Sequence, residues 1–537
     1  MSAPVSTAAP AQKEGAQLSK SQADLLYSVF AKLTYLVTRV GMPPVILRFL
    51  DLDVYGIWTA CFILIGYMSF ADCGFSTVYV CKTAEYLRQN AVEKVQRLLA
   101  TGIGCMSAVA LMVWTGIWLS APALADWLHI SGSHAGIFRR AVLWVSFIFL
   151  ADMSLNAFSY VLHGMQEFRS EQRTWLRANL LEIFAVIVLL LSGLGIDALI
   201  AAYAIRYCYS ITANAYSVRQ RLPGFSFSPR HFSPALLPEI FQFGFKVQLS
   251  TIFSMVFHSL DRVFAGSFLG IGAVALFDLA GKFPLSSLSL ASSVTQMTLA
   301  NAAVASHEAD RQELLSTLLL SSLRKIAVLA SVPLVFISAF SPLLTTAWLG
   351  NKIIYQEIPA LIMMVSLGAY LHILTGPGSA IFRAEAKVDR EYVYHFLRTA
   401  AYGVAAGYLT QFAVRDILQL GAITMMATAC AAVAYHVYIF RHYPLSAWSL
   451  FRAVLLPPLL FAAVALVNVF IFRQSGFVPD TRAGAVVCLL AHGLIFLLQA
   501  AWISYCLLAS AEKAAVASWI RSKWQRMAAR RGMSGDA

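Results

Sequence analysis

The sequence predicts an all-α polytopic membrane protein, and three observations support that class. Hydrophobic residues make up 59% of the chain and charged residues only 12%, which is about half the charged fraction of a soluble globular protein. The apolar residues fall in repeated blocks of about 20, the length that an α-helix needs to cross a bilayer. Lysine and arginine gather in alternate loops between those blocks, as they do in multi-pass proteins. These observations exclude a soluble fold.

The apolar blocks predict about 14 transmembrane helices, arranged as two six-helix lobes followed by two extra C-terminal helices. A small, polar stretch over 1–24 precedes them and is predicted to be a disordered cytoplasmic tail. The predicted segments after it are the N-terminal lobe at 25–218, a cytoplasmic linker at 219–240, the C-terminal lobe at 241–440, two additional helices at 453–508 and a basic amphipathic cytoplasmic tail at 509–537. The predicted spans lie near 25–47, 54–80, 98–120, 141–161, 179–195, 198–218, 241–263, 273–300, 323–346, 357–382, 392–412, 416–440, 453–473 and 483–508.

The basic residues predict the orientation of the chain. With the amino terminus inside, 26 lysines and arginines lie in cytoplasmic segments and 7 lie in the opposite loops. This bias predicts that both termini are cytoplasmic. It also accounts for the formal net charge of +13 as an inner-leaflet signal, so membrane lipids are expected partners and nucleic acid is not.

The sequence shows no recognisable catalytic or metal-binding motif. Its 8 cysteines lie in or beside apolar spans and none has CxxC spacing, so neither a disulfide framework nor a metal site is expected. A Walker A loop, an HExxH motif and a GxSxG motif are all absent from the sequence. We therefore expect no enzyme activity and no cofactor, apart from a proton or sodium ion if transport is ion-coupled.

Charged side chains inside the predicted spans identify the candidate site, because a charge in hydrocarbon costs roughly 2.5 to 3.5 kcal/mol even on insertion scales. Lys32 and Arg39 are seven residues apart and share one face of the first predicted span. The candidate substrate-binding residues are Lys32, Arg39, Lys246, His258, Arg262 and Lys282. The candidates for ion coupling or structural support are Asp72, Asp152, Asp261 and Asp278.

Several of these positions allow a structural interpretation as well. Asp72 either supports Arg39 through an ion pair across the first two spans or binds a coupling proton. Asp261 and Arg262 are adjacent and can form an ion pair at the membrane edge. Glu182 and Arg206 lie near span ends, where long side chains are expected to snorkel toward the interface.

A weak internal repeat supports a cavity between two lobes. The stretch 48–58, "RFLDLDVYGIW", aligns with the stretch 267–277, "SFLGIGAVALF". Six predicted spans separate the two stretches, so the two halves have the same membrane orientation and form a parallel repeat. The same offset places Arg39 opposite His258. The first, second, seventh and eighth spans, which carry the charged residues, are then expected to face one central pocket.

Two stretches resemble one family of transporters. "DVYGIWTACFILIGYMSFADCGFS" is similar to the second-span signature of polysaccharide-type flippases, and "LDRVFAGSFLGIGAVALFDLAGKF" is similar to the hairpin of their seventh and eighth spans. The chain thus resembles the Wzx-type branch of the multidrug/oligosaccharidyl-lipid/polysaccharide (MOP) exporter superfamily. It departs from the family pattern at Phe277 and Asp278, where an extra acid lies near Lys282.

The resemblance implies a flippase of the bacterial inner membrane that moves a polyprenyl-pyrophosphate-linked oligosaccharide to the outer leaflet by alternating access. It implies a lipid-linked anionic substrate, a polysaccharide polymerase and export machinery as functional partners, and activity as a monomer. Independently of the family, a pyrophosphate needs arginines and lysines to replace its solvent during transfer, and Arg39 is expected to be the principal one. Two alternatives are a cation-coupled drug or metabolite antiporter of the same superfamily, which the aspartates favour, and a membrane glycan polymerase or ligase.

Overall fold

The structure, a computed structural model of the chain, describes residues 40–72, 74–165, 167–222, 228–238, 260–306, 308, 310–385, 387, 389–411, 416–474 and 481–507. Within those residues the regular structure is helical, which confirms the all-α class. The described residues divide into two compact units. The first unit contains the described residues up to Lys282 and those within Ala406–Leu420. The second unit contains the described residues within Phe283–Ala405 and those from Gly421 onward.

The first unit contains the helices that carry the candidate site. They are α1 (Val40–Phe49), α2 (Leu52–Met68), α3 (Phe75–Arg88), α4 (Val92–Trp127), α5 (Ser133–Leu155), α6 (Ala157–Gly164), α7 (Phe168–Leu191), α8 (Ile196–Arg221) and α9 (Leu260–Leu269). One of its cores is formed by buried residues of α3, α4 and α6, among them Phe75, Leu99 and Val161. α10 (Ile271–Ser287) begins in this unit and ends in the second.

The second unit continues with α11 (Ser289–Ala305), α12 (Arg311–Ala339), α13 (Ser341–Leu349), α14 (Ile358–Ile373), α15 (Gly376–Ala384), α16 (Asp389–Gln411), α17 (Ile417–His442), α18 (Leu456–Gln474) and α19 (Arg482–Leu507). The ends of α16 and α17 that fall within Ala406–Leu420 belong to the first unit. The core of the second unit includes Ile326, Phe382 and Tyr435.

Eight helices in the described part of the chain are long and apolar enough to cross a membrane, or up to nine if the bent pair α10 and α11 is one span. This confirms a multi-pass membrane protein. The predicted spans 25–47 and 241–263 lie mostly outside the described residues. The total of fourteen therefore stays a prediction.

The predicted span 54–80 is divided in the structure and does not form one continuous helix. α2 ends at Met68, a 3₁₀ turn covers Ser69–Asp72, and α3 begins at Phe75. Gly74 has a left-handed φ of 78°, a conformation that glycine adopts without the steric cost that a Cβ brings. Asp72 thus lies at a break between two helices and not in the middle of one.

Helix starts recur along the chain at a nearly constant offset. Three helices of the first half have counterparts in the second half, and the three offsets differ from one another by at most two positions. The paired starts are Leu52 and Ile271, Val92 and Arg311, and Ile196 and Ile417. The first two offsets equal the one at which the stretches 48–58 and 267–277 align. We call this offset the repeat offset.

Candidate functional site

A buried cluster of charged side chains connects α2, α9 and α10 within the first unit. The Asp278 carboxylate lies 2.8 Å from Lys282 Nζ and 3.4 Å from Arg262 Nη1, and it accepts a hydrogen bond of 3.0 Å from the hydroxyl of Tyr55. The side chains of Arg262 and Lys282 are each 15% exposed, and that of Asp278 is 8% exposed. Asp278 is therefore the shared partner of two cations.

Local helix geometry explains how these residues meet. Asp278 and Lys282 are four residues apart on α10 and lie on the same face. Tyr55 reaches them because α2 packs directly against the start of α10. A Cβ built at Gly56 would collide with the carbonyl oxygen of Ile271, so only glycine permits this close approach.

Arg262 also lines a cavity of about 260 Å³ in the first unit. Its described lining is otherwise apolar or aromatic, and consists of Ala60, Ile63, Leu64, Tyr67, Trp127, Leu128, Val263 and Val274. One arginine thus lines an apolar cavity and is paired with Asp278, which also pairs with Lys282. Such an arrangement can bind an anionic group that is attached to an apolar or aromatic-stacking body.

The structure describes two of the six predicted substrate-binding residues. Arg262 and Lys282 belong to the cluster around Asp278, and the proximity of Asp278 to Lys282, expected from the sequence, is observed. Asp261 is the second residue of α9. The four remaining candidates lie outside the described residues: Lys32, Arg39, Lys246 and His258.

Asp72 begins a second group of polar side chains in the first unit. Its carboxylate accepts hydrogen bonds from the Ser76 hydroxyl at 2.8 Å and the Ser76 backbone N–H at 3.4 Å. These bonds satisfy a donor in the first turn of α3, as a helix N-terminal cap does. The ring of Tyr79 stacks on that of Tyr160 at 6.5 Å between centroids. Asp72 therefore has a structural role in the described residues, and its pairing with Arg39 lies outside them.

Asp152 belongs to the same polar group from α5. The phenol of Tyr160 lies within electrostatic range of both Asp72 and Asp152. Asn156 follows α5, and its side-chain oxygen accepts a hydrogen bond of 3.0 Å from Asn214. Within the described structure, Asp152 Oδ1 and Asn214 Oδ1 are buried without a hydrogen-bond partner. Of these two acceptors, the Asp152 carboxylate can take up a proton or a cation, whereas the Asn214 amide oxygen can only accept hydrogen bonds or contact a cation.

The sequence interpretation missed two contributors. Glu182 and Arg206 were expected to snorkel, but Arg206 Nη1 pairs with Glu182 at 3.0 Å and both side chains are less than a quarter exposed. This pair joins α7 to α8. Tyr55 is also missing from the site residues that the sequence predicts. The sequence does contain a signal for it, because Tyr55 lies in the "DVYGIW" stretch that supports both the repeat and the family resemblance.

No group of three or more His, Cys, Asp or Glu side chains that could hold a metal ion occurs in the described parts of the chain. The charged clusters are held together by ion pairs and hydrogen bonds. The arrangement suits ligand binding. Arg262 is a cation at the wall of a cavity, and Asp152 Oδ1 and Asn214 Oδ1 are buried acceptors without a hydrogen-bond partner in the described structure.

Comparison with solved structures defines the class. The fold resembles that of the lipid II flippase MurJ in an inward closed conformation, with a TM-score of 0.66 and 14% identity over 90% of this chain and 98% of that chain. It also resembles an inward-facing multidrug resistance MATE family transporter of the MOP superfamily, with a TM-score of 0.59 and 17% identity over 78% of this chain and 99% of that chain. Sequence comparison with curated proteins gives no match. The class is that of multi-pass membrane proteins with the fold that MurJ and the MATE transporter share.

Residues 24–299 match the family model described as "polysaccharide biosynthesis protein" (Polysacc_synt). This match covers half of the chain, and the chain belongs to that family. The Wzx-type resemblance drawn from the sequence is thereby confirmed. Members of this family are described as polysaccharide biosynthesis proteins, and the fold is the one that MurJ and the MATE transporter share.

Proposed function

We propose that the protein is a flippase that moves a polyprenyl-pyrophosphate-linked oligosaccharide from the inner to the outer leaflet of the bacterial inner membrane. The product serves cell-surface glycan biosynthesis, such as that of O-antigen or exopolysaccharide. The family, whose members are described as polysaccharide biosynthesis proteins, supports the glycan pathway. The name of the lipid II flippase that shares the fold supports a lipid-linked substrate.

The observation that carries the proposal is the Arg262 cluster. A pyrophosphate crosses hydrocarbon only if protein cations replace its water, and arginine does so with two parallel hydrogen bonds while staying charged. Arg262 faces an apolar cavity and is tethered by Asp278, which also binds Lys282. Arg262 thus presents a guanidinium group at the cavity wall, where an anionic ligand can contact it. Arg39, Lys32, Lys246 and His258 are proposed to complete the cationic surface, with Arg39 as the principal ligand.

The proposed mechanism is alternating access by two six-helix lobes, over 25–218 and 241–440, with two extra helices outside the repeat. The nearly constant offset between helix starts of the two halves supports a parallel repeat of this kind. The polyprenyl chain stays in lipid while the head group passes through the cavity, so no covalent step is needed. Both termini are proposed to be cytoplasmic, and the transporter is proposed to act as a monomer beside a polysaccharide polymerase and export machinery.

The test compares two variants, Arg262→Gln and Arg262→Lys. The matched control is Arg140→Gln, because Arg140 forms an exposed ion pair with Asp197. Glycan export in cells lacking the native protein is measured, with membrane abundance as the control for folding. A charged hydrogen-bonded contact contributes about 1.5–3 kcal/mol, so we expect Arg262→Gln to lower export by roughly 10- to 100-fold. Arg262→Lys should retain part of the activity, and the control should stay near wild type.

A purely structural arginine gives a different result. The double variant Arg262→Gln/Asp278→Asn removes both partners and leaves the net charge unchanged. Normal export by that variant would mean that Arg262 serves only to neutralise Asp278, and the substrate-binding role would then be wrong.

A second candidate function is cation-coupled antiport of a drug or metabolite. The buried Asp152, whose Oδ1 has no hydrogen-bond partner within the described residues, favours this alternative because an acid that binds a proton or sodium ion is what such a transporter needs. Export of a cationic dye that disappears in Asp152→Asn, with glycan export unaffected, would favour antiport over the flippase. A glycan polymerase or ligase is set aside because the family and fold are those of transporters.

A further inference from the structure

Three arginines form a stripe at the start of α7. Arg169, Arg173 and Arg177 are spaced four residues apart, and all three are exposed. At 1.5 Å per residue the stripe runs about 12 Å along the helix axis. We name these three residues the arginine stripe.

The same face of α7 continues as apolar residues. Leu180, Phe184, Ile187 and Leu191 are 49%, 67%, 39% and 69% exposed. At 100° per residue these four and the arginine stripe fall within an arc of about 80°. α7 is one of the helices long and apolar enough to span the membrane, so this face contacts lipid along its length. In the predicted orientation the arginine stripe lies at the level of the inner-leaflet head groups.

The acidic residues of α7 lie on its opposite side. Glu171 and Glu182 are about 200° and 220° around the helix from Arg169. Glu171 pairs with His163 at 3.4 Å, and Glu182 pairs with Arg206 at 3.0 Å. Positive charge on α7 is therefore concentrated on the lipid-facing side, while its negative charge faces other helices of the unit.

The corresponding helix of the other half has no such stripe. α16 is the counterpart of α7, and its first turns contain two arginines, Arg390 and Arg398, neither of which is exposed. Their guanidinium groups lie over the rings of Phe382 and Tyr402. Both helices begin on the predicted cytoplasmic side, so a general orientation signal would act on both. Of the two helices, only α7 presents its arginines as an exposed stripe.

We propose that the arginine stripe binds the phosphate head group of an anionic glycerophospholipid in the inner leaflet. Guanidinium groups bind phosphate oxygens in a bidentate manner, and basic residues at the cytoplasmic interface attract anionic lipids. The continuous apolar face above the stripe accommodates the acyl chains of the same lipid. This site is separate from the Arg262 cavity and goes beyond the transport proposal.

The test uses the purified full-length protein and two variants that lose the same amount of charge. The stripe variant is Arg169→Gln/Arg173→Gln/Arg177→Gln. The matched control, Arg88→Gln/Arg219→Gln/Arg311→Gln, removes three exposed arginines that lie on separate helices. Binding of phosphatidylglycerol and of phosphatidylcholine is titrated in detergent by native mass spectrometry, with circular dichroism and gel filtration as checks of folding and oligomeric state.

We expect wild type and the matched control to bind phosphatidylglycerol at least fivefold more tightly than phosphatidylcholine. The stripe variant should lose most of that preference while remaining folded. Equal preference in all three proteins would overturn the proposal. Two other results would also overturn it. Displacement of phosphatidylglycerol by a polyprenyl pyrophosphate at far lower concentration would indicate a substrate-capture site. A wild-type dimer that the stripe variant abolishes would indicate a protein interface.

Discussion

α2 and α10 occupy corresponding places in the two halves of the chain, yet they differ at two paired positions. α10 has Asp278 and Lys282, which form an ion pair of 2.8 Å. At the offset at which the stretches 48–58 and 267–277 align, the corresponding residues of α2 are Thr59 and Ile63, which are 4% and 7% exposed. Both pairs are four residues apart on one helix face. One half has an uncharged buried pair where the other has buried charge.

The difference is informative because the two solutions have different energetic consequences. An uncharged pair loses much less than a charged pair on leaving water. A buried ion pair often contributes no more to stability than an apolar pair of the same shape would, because both charges must lose water. The first half shows that these positions of the repeat accept an uncharged pair. The charges in the second half are therefore better explained by a ligand than by the stability of the fold.

The largest effect is expected from removal of the shared acid. Asp278→Ala leaves Arg262 and Lys282 close together without their common partner, which should destabilise the protein by about 3–5 kcal/mol. Thermal unfolding in detergent, followed by fluorescence-detected gel filtration, measures this. Trp58→Leu serves as the comparison in α2 and should cost less. A smaller loss for Asp278→Ala than for Trp58→Leu would mean that the charged cluster is solvated and not an interior feature.

The next variant makes α10 resemble α2. Arg262→Met/Asp278→Leu/Lys282→Met replaces the three charged side chains by apolar ones of similar size, so no charged partner is left buried and unpaired. We expect thermal stability within a few degrees of wild type but glycan export reduced at least tenfold. The control is Trp58→Leu/Phe62→Met, whose export should fall only in proportion to its abundance. Normal export by the triple variant would contradict a ligand-binding role for the cluster.

Much of the fold follows from periodicity and charge, which are local properties of the sequence. Span positions such as 98–120, 323–346 and 483–508 correspond to α4, α12 and α19, because a bilayer requires long apolar helices and leaves few alternatives. The acid near Lys282 was also predictable, since Asp278 precedes it by one helical turn. The Asp278–Arg262 and Asp278–Tyr55 contacts were not predictable, because they depend on how three helices pack. The break at Ser69–Asp72 was missed because hydropathy does not report backbone conformation.

The contact between α2 and α10 gives a third prediction. Gly56→Ala places a methyl group against the Ile271 carbonyl oxygen, which is rigid backbone. Overpacking of this kind costs about 1–3 kcal/mol, and it should also move Tyr55 away from Asp278. We expect a lower thermal stability together with reduced export. Gly66→Ala, at a position on α2 with open space around it, is the matched control and should behave as wild type.

The smallest effect concerns Asp72, which lies at the break between α2 and α3; at the offset of the aligned stretches its counterpart is Ala291, just after the break between α10 and α11. Asp72 accepts hydrogen bonds from Ser76 at the start of α3, and loss of such a cap costs about 0.5–2 kcal/mol. Asparagine caps helices about as well as aspartate, so Asp72→Ala should be destabilised by roughly 1 kcal/mol while Asp72→Asn stays near wild type.

The two variants also separate capping from ion coupling, because asparagine keeps the acceptor oxygen but cannot bind a proton or neutralise a cation. If Asp72 serves only as a cap, Asp72→Asn transports normally at every pH and Asp152→Asn remains the sole candidate for a coupling defect. A well-folded Asp72→Asn variant with impaired or pH-insensitive export would show instead that the charge itself is used, and that this half of the repeat also contains a functional acid.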